Sequence, residues 1–199
     1  SQLSPGDFIP VAESSGLIVQ LDHWALRTAC HDAARWTLPV SVAVNFSAAN
    51  FFIEGLTDTI LDVLAGSGLP PDRLKIEVTE TVLLRERDRV RQVIQRLKNL
   101  GVRVVLDDFG AGHASLGYLR DFPFDEVKID RRFVADLDAG DGTIARSVID
   151  LGHNLGLHVV AEGVESHRSL EVLRDLGCDS AQGFHLGVPM PVEDLEQYL

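Results

Sequence analysis

Cysteine is scarce in this 199-residue sequence, and its scarcity limits the chemistry that the chain can perform. The two cysteines, Cys30 and Cys178, lie outside any Cys-x-x-Cys or Cys-x-x-His pattern, which excludes the common zinc and redox motifs. We expect both to be small, buried apolar side chains. The seven histidines lack the His-Glu-x-x-His spacing of zinc hydrolases, so oxygen ligands would have to hold any metal ion.

Long apolar runs and an excess of positive charge are also absent. Apolar runs such as Val102 to Leu106 are much shorter than the roughly 18 residues of a membrane-spanning helix, and no secretory signal pattern opens the sequence. With 18 basic and 30 acidic residues, the net charge is −12, which disfavours nucleic-acid polymers and anionic membranes as partners. We therefore expect a cytoplasmic protein without membrane insertion, and one domain over residues 1–199.

Short β-branched runs alternate with longer segments of helical periodicity. Apolar residues recur every three or four positions between the runs, as in the segment that ends at Gly101. An amphipathic helix is predicted over residues 21–36, and Pro191 is well placed to begin the last helix. This alternation implies parallel strands covered by helices. The predicted strands are Val42–Val44, Leu74–Val78, Val102–Leu106, Glu126–Ile129, His158–Ala161 and Ser180–Phe184.

Polar residues at the strand ends favour one of the two folds that share this alternation. In a (β/α)8 barrel the carboxyl ends of the strands meet around one mouth, whereas in a doubly wound open sheet they are spread along an edge. We therefore predict an α/β fold of the (β/α)8 TIM-barrel type. Glu77 and Glu80 lie in the latter half of one predicted strand. The full set of polar strand-end residues is Asn45, Glu77, Glu80, Asp107, Asp108, Lys128, Glu162 and Gln182.

Two adjacent carboxylates, Asp107 and Asp108, form the centre of the predicted site. At the end of an apolar strand their mutual repulsion is unfavourable unless cations are present. Together with Asn45, Glu77 and Glu162 they offer hard oxygen ligands suited to Mg²⁺ or Mn²⁺. Two such ions can activate water and stabilise both oxygens of a phosphodiester displacement, without a Cys, Ser or His nucleophile.

Structural explanations compete with this interpretation at each position. Asn45 or Asp108 could cap a helix that follows its strand, and Glu77 could pair with a nearby base such as Lys75 or Arg73. The mixed-charge run over residues 85–91 is typical of a solvated helical face, and we assign it no catalytic role.

Seven short motifs, spread over most of the chain, carry a resemblance to a known family. They are Asp-Phe-Ile-Pro-Val-Ala-Glu (7–13), Val-Asn-Phe-Ser (44–47), Ile-Glu-Val-Thr-Glu (76–80), Leu-Asp-Asp-Phe-Gly (106–110), Val-Lys-Ile-Asp-Arg (127–131), Val-Ala-Glu-Gly-Val-Glu (160–165) and Gln-Gly-Phe (182–184). In content and order they resemble EAL domains, metal-dependent phosphodiesterases that hydrolyse the bacterial second messenger cyclic di-GMP. The resemblance runs from about residue 6 to the C-terminus.

The resemblance implies a fold, a reaction and a set of metal ligands. The fold is a (β/α)8-type barrel with one antiparallel strand, and the reaction converts cyclic di-GMP to linear pGpG. By the same resemblance, two ions, Mg²⁺ or Mn²⁺, are bound. Asn45, Glu77 and Asp107 would hold one ion, while Asp107, Asp108 and Glu162 would hold the second.

The resemblance also implies roles for residues that surround the metals. Lys128 would orient the attacking water or stabilise charge, and with Glu162 it forms the expected catalytic pair. Glu80 would hold the loop that follows Asp108. Gln182 would lie near the metals or the substrate.

The sequence departs from the family pattern in two places. It begins just before the Phe-Ile-Pro motif, so the Glu-Ala-Leu segment that names the family is not in it, and we expect an N-terminally incomplete barrel of low activity. In the loop over residues 109–115, Ala111, His113 and Ala114 replace the usual Thr, Tyr and Ser. The effect of that change on activation and dimerisation stays open, as do a homodimer and the regulatory domains of a parent protein.

Two other functions stay open at this point. A catalytically silent cyclic di-GMP receptor or a protein-interaction scaffold could use the same fold. A different Mg²⁺-dependent barrel enzyme, such as one that stabilises an enolate, could use adjacent aspartates and a lysine.

Overall fold

The computed structural model of the chain describes residues 4–110 and 116–198, and strands alternate with helices through both ranges. The chain divides into two compact units, with the boundary between Arg103 and Val104. The alternation of strands and helices agrees with the predicted α/β class. Among the residues described, no helix combines the length and the apolar character that crossing a membrane requires.

The first unit contains a pair of parallel strands and the helices packed around it. Its strands are β1 (Val42–Asn45) and β2 (Leu74–Thr79). Short 3-10 turns precede and follow β2, at Pro71–Arg73 and Glu80–Leu84. Its helices are α1 (Pro5–Ser15), α2 (Ile18–Arg35), α3 (Ala48–Phe51), α4 (Leu56–Ser67) and α5 (Arg87–Asn99).

Helix α2 supplies much of the core of this unit, because its apolar residues lie on one face. Leu26, Cys30 and Ala33 follow the helical spacing of four and three and are fully buried. Asp22 lies one turn before them on the same face and is also buried. The helix packs against α4 and β1 and covers most of the predicted segment 21–36.

The second unit contains the remaining strands, which pair in chain order and are all parallel. Its strands are β3 (Arg103–Phe109), which begins at the unit boundary, β4 (Glu126–Ile129), β5 (His158–Ala161) and β6 (Ser180–Ala181). Its helices are α6 (Leu116–Asp121), α7 (Arg131–Ala135), α8 (Thr143–Asn154), α9 (His167–Asp175) and α10 (Val192–Tyr198). All of β4 is buried, so its lysine, discussed below, lies in the interior of the unit.

All six predicted strands are present, but four have different bounds. Strands β1 and β2 each end one residue later than predicted, and β3 and β6 differ more. Strand β3 continues to Phe109, so the two adjacent aspartates lie within the strand and not after it. Strand β6 contains Ser180 and Ala181 alone, whereas the prediction continued it to Phe184. The chain instead turns at Gly183, whose carbonyl oxygen accepts a hydrogen bond from the Leu186 N–H at 3.0 Å.

Two further predictions need correction. Glu80 lies outside its predicted strand, because β2 ends at Thr79 and Glu80 is the first residue of the following 3-10 turn. Cys30 is fully buried as expected, and burial raises the pKa of its thiol to about 11. Cys178 is only half-buried, because it lies in the connection between α9 and β6.

Candidate functional site

Three carboxylates of the second unit lie close enough to share a cation. Asp107, Asp108 and Glu162 each offer one oxygen, and these oxygens all lie within 4.8 Å of one another. Asp107 is buried, Glu162 is half-buried and Asp108 is exposed, so the cluster extends from the interior to the solvent. Glu162 directly follows β5, and its N–H donates to the Ile129 carbonyl oxygen at 3.2 Å, which places it beside the end of β4.

An irregularity in β3 brings two consecutive carboxylates into this cluster. In a regular strand, neighbouring side chains point to opposite faces. Leu106 pairs with Val127 and Phe109 pairs with Ile129, so three steps along β3 match two along β4, which means that β3 contains one extra residue. Asp108 adopts the left-handed conformation, with φ 55°, and its N–H donates to the Asp107 Oδ1 at 3.0 Å.

Lys128 bridges two members of the cluster from the middle of the buried strand β4. Its Nζ lies 3.2 Å from Asp107 Oδ1 and 2.5 Å from Glu162 Oε1. The lysine side chain is 6% exposed, so solvent screens these ion pairs only weakly. The amine therefore fixes the positions of one oxygen from each carboxylate.

The negative charge of the cluster exceeds what the lysine balances. Partial desolvation raises the pKa of Asp108 above its ordinary value although the residue is exposed, and the carboxylates of Asp107 and Asp130 raise it further, while Lys128 and Arg131 oppose the rise. A bound cation would relieve this repulsion. The donor set, carboxylate oxygens gathered around a partly open position, fits a hard divalent ion such as Mg²⁺ or Mn²⁺.

Close backbone packing fixes the chain around the ends of β5 and β6. The Gln182 N–H donates to the Ala161 carbonyl oxygen at 2.8 Å, and the Val164 N–H donates to the Gln182 carbonyl oxygen at 3.0 Å. At Gly183 a Cβ would lie 2.2 Å from the backbone nitrogen and oxygen of Val164, so any larger residue would force the two segments apart. Gln182 is exposed just beyond β6, whereas the predicted strand Ser180–Phe184 would have contained it.

The first unit contributes its own pair of predicted ligands. Asn45 at the end of β1 is in register with Glu77 on β2, and the Phe46 N–H donates to the Glu77 carbonyl oxygen at 2.9 Å. Asn45 is exposed, and Glu77 is buried. The approach of this pair to the carboxylate cluster of the second unit stays a prediction.

The competing structural explanations are excluded at one position and weakened at another. Asn45 does not cap α3, because it lies within β1 and Ser47 is the residue that precedes the helix. Arg73 is engaged by backbone, since its guanidinium donates to the carbonyl oxygens of Val40 at 2.9 Å and Ala33 at 2.8 Å. Pairing of Glu77 with Lys75, the other candidate base, stays open. The charged run over residues 85–91 is mostly exposed, in agreement with its interpretation as a solvated face.

Two sequence predictions concern residues outside the part of the chain that the structure describes. Ala111, His113 and Ala114 fall between the described ranges. The expected role of Glu80 in holding that loop is likewise untested. Glu80 itself is buried at the start of its 3-10 turn.

A buried polar network after β1 was not predicted from the sequence. Asp22 on α2 accepts hydrogen bonds from Ser47 and Asn50, in the turn that follows Asn45. Burial raises the pKa of Asp22, and the hydrogen bonds oppose the rise. The signal was present in the sequence, because Asp22 falls in the apolar stripe of α2 that continues with Leu26.

A cavity of about 520 Å³ opens beside the same turn. It is bounded by α1, by α3 and by the 3-10 turn that follows β2. Ser47, Thr81 and Arg85 provide hydrogen-bond donors in its wall, and Phe52 provides an aromatic face. Glu13 also lines the cavity, so Arg85 would have to offset that carboxylate for a flat, negatively charged ligand to bind there.

Comparison with known proteins gives a family match over nearly the whole chain. The family model described as "EAL domain" matches residues 1–189. The structure described as "PaMucR Phosphodiesterase, c-di-GMP complex" is 42% identical and superimposes with a TM-score of 0.91, covering 97% of this chain and 81% of that one. The EAL domain of Mycobacterium smegmatis DcpA is 36% identical with a TM-score of 0.86, covering 92% of this chain and 85% of that one.

Curated relatives extend well beyond the matched region. The bifunctional diguanylate cyclase/cyclic di-GMP phosphodiesterase MucR of Pseudomonas aeruginosa is 42% identical over 97% of this chain and 29% of its own length. The cyclic di-GMP phosphodiesterase NbdA of the same organism is 41% identical over 99% of this chain and 26% of its own length. The chain thus spans about a quarter of these relatives. The structural likeness to EAL domains confirms the predicted fold class, a (β/α)8-barrel type of α/β fold.

Proposed function

The chain belongs to the EAL domain family, and from this premise we propose that it hydrolyses cyclic di-GMP to linear pGpG with the help of Mg²⁺ or Mn²⁺. The observation that carries the proposal is the cluster of Asp107, Asp108 and Glu162, bridged by the buried amine of Lys128. A scaffold has no physical need for three carboxylates gathered in one place, because their repulsion destabilises the fold.

The proposed ligands are divided between the two units. Asp107, Asp108 and Glu162 would hold one ion, and Asn45 and Glu77 would complete a second position with Asp107. When bound, divalent ions supply Lewis-acid stabilisation of the phosphate and lower the pKa of coordinated water. The irregular strand β3 serves this role by presenting two consecutive carboxylates together.

The reaction itself is a hydrolysis that consumes one water. Water adds to a phosphorus atom of the cyclic dinucleotide, the bond from phosphorus to the 3′-oxygen breaks, and that oxygen takes up a proton. Lys128 would hold the attacking water or stabilise negative charge on the phosphate, because its amine already lies between two carboxylates of the site. Glu162 would orient that amine and accept a proton from the water.

Substrate binding in this proposal uses groups outside the carboxylate cluster. With a net charge of −12, the chain offers a dianionic ligand little general attraction, so the ions and a few local cations must provide it. Arg85 and Phe52 in the wall of the 520 Å³ cavity are suited to a phosphate and a purine ring. Gln182 is a further polar group for substrate or metal.

Residues 1–199 act in this proposal as one EAL-type domain of a cytoplasmic bacterial signalling protein. The short share of the relatives' length that the chain covers supports regulatory domains elsewhere in a parent protein. A homodimer is part of the same proposal.

Product analysis tests the proposal directly. The chain is incubated with cyclic di-GMP and Mn²⁺ or Mg²⁺, and the products are separated by chromatography, while calorimetry measures binding with and without chelator. We expect pGpG to form, even slowly, and to be abolished by Asp107→Asn but not by Asp175→Asn, which changes an exposed carboxylate at the end of α9. Metal-independent binding without turnover would instead indicate a silent receptor, and the absence of both would refute the proposal.

A further inference from the structure

Asp22 is an acidic side chain in an apolar setting. It lies on the buried face of α2, one turn before Leu26, and is 7% exposed. Burying a carboxylate costs several kcal/mol unless hydrogen bonds replace the lost water. The contacts of Asp22 therefore show what its charge does in the fold.

Asp22 accepts two hydrogen bonds from the turn that follows β1, residues 47–50, which includes the start of α3. Asp22 Oδ2 accepts the Ser47 N–H at 2.9 Å and the Asn50 side-chain N–H at 2.6 Å. The Asn50 amide also contacts the Ser47 hydroxyl at 3.2 Å, and Asn50 is 1% exposed. One carboxylate oxygen thus connects both ends of a four-residue turn to a helix that is far away in the sequence.

This turn continues directly from the residue proposed as a metal ligand. Asn45 precedes Phe46, whose N–H donates to the Glu77 carbonyl oxygen at 2.9 Å, and Ser47 comes next. The chain around Asn45 is therefore held on one side by β2 and on the other by Asp22. Asn45 itself is exposed, so its own side chain is not held by surrounding packing.

We propose that Asp22 is a positioning residue, which fixes the direction in which Asn45 presents its side-chain oxygen to a divalent cation. This inference rests on the proposed function, because it takes Asn45 as a ligand. Groups that hold metal ligands in place typically change metal affinity by about 10-fold to 100-fold when they are mutated. Asp22 acts one step further from the ion, through the backbone of the turn, so we expect the lower end of this range.

Metal binding without substrate tests the role independently of turnover. Mn²⁺ affinity is measured by electron paramagnetic resonance for the wild type, Asp22→Ala and Asp22→Asn, and hydrogen exchange reports protection of the Ser47 amide. We expect Asp22→Ala to weaken Mn²⁺ binding about 10-fold and to speed exchange at Ser47. Asp22→Asn keeps one acceptor oxygen, so we expect its Mn²⁺ affinity to lie between those of the wild type and Asp22→Ala. Asp32→Asn is the matched control, since Asp32 is on the same helix and pairs with Arg35 at the surface.

Asp22→Asn keeps the test informative if Asp22→Ala does not fold. Its amide oxygen can take the position of Oδ2 and accept from both Ser47 and Asn50. We therefore expect it to retain more of the Mn²⁺ affinity than Asp22→Ala does. Faster exchange at Ser47 with unchanged Mn²⁺ affinity would overturn the inference, leaving Asp22 a stabilising residue only. A wild type that binds no Mn²⁺ would overturn the proposed function as well, so the two failures are distinguishable.

Discussion

Replacing Lys128 by methionine should destabilise the metal-free protein by about 3 kcal/mol. Methionine keeps an unbranched apolar stem, in a side chain one atom shorter than that of lysine, but removes the charge that lies 3.2 Å from Asp107 Oδ1 and 2.5 Å from Glu162 Oε1. At an effective dielectric constant of about 20, one such pair contributes roughly 5 kcal/mol of Coulomb energy. The cost of desolvating the amine offsets part of this gain. Removing one partner of a buried ion pair typically costs about 3 to 5 kcal/mol, because the other charge is left uncompensated.

Urea unfolding monitored by circular dichroism, in EDTA and again in Mg²⁺, provides the measurement. Lys98→Met on α5 is a control of identical chemistry, and we expect it to cost less than about 1 kcal/mol. In Mg²⁺ the penalty of Lys128→Met should shrink, because a bound cation replaces the missing positive charge. If Lys128→Met lowers the free energy of unfolding in EDTA by less than about 1 kcal/mol, the electrostatic reasoning is refuted. An unchanged loss in Mg²⁺ would contradict cation binding by the carboxylate cluster.

Three further predictions concern packing, acid stability and thiol reactivity. Gly183→Ala should lower the free energy of unfolding in urea by about 3 kcal/mol, because its Cβ would lie 2.2 Å from neighbouring backbone atoms. The control Gly187→Ala, whose Cβ would have nothing within 4 Å, should be nearly neutral. Equal effects of the two variants would contradict the packing. Burial raises the pKa of Asp179, but a backbone N–H and two histidines lower it more, so the net pKa is lowered. The stability that Asp179 contributes is therefore present above the ordinary carboxyl pKa and is lost as the pH falls through the lowered value. Asp179→Asn should consequently reduce the free energy of unfolding less at pH 3 than at pH 7. Urea unfolding at both pH values is the measurement. In the native protein, the half-buried Cys178 should react first with a thiol reagent. Cys30 should react only on unfolding, because it is fully buried and its thiol has a pKa of about 11. The reverse order would be inconsistent with the structure.

Two strands, Glu126–Ile129 and His158–Ala161, were predicted at their observed bounds. Both are short and directly followed by an acidic residue, and all or nearly all of their side chains are buried. The last strand was predicted too long, because the apolar pattern continues to Phe184. Phe184 is in fact 66% exposed, and the turn at Gly183 depends on a close backbone contact that periodicity cannot reveal.

The candidate site was predictable in composition but not in geometry. Adjacent Asp107 and Asp108 already implied crowded negative charge, and the structure gathers them with Glu162. The left-handed backbone of Asp108 and the ion pairs of Lys128 depend on strand register, which local sequence does not encode. Asp22 was missed because a single acidic residue within an apolar helical stripe gives no indication of its partner, which lies 25 residues away in the sequence.

The extra residue in β3 also determines how this site can change by mutation. In an uninterrupted strand, consecutive side chains point to opposite faces, so no substitution alone could bring Asp107 and Asp108 together. The bulge is a property of the backbone, and it should survive the exchange of either carboxylate for an amide. A deletion of one residue in β3 would instead restore the alternation and separate the pair. Point mutations can therefore switch the chemistry of such a site off and on again in single steps, whereas a lost bulge returns only through an insertion.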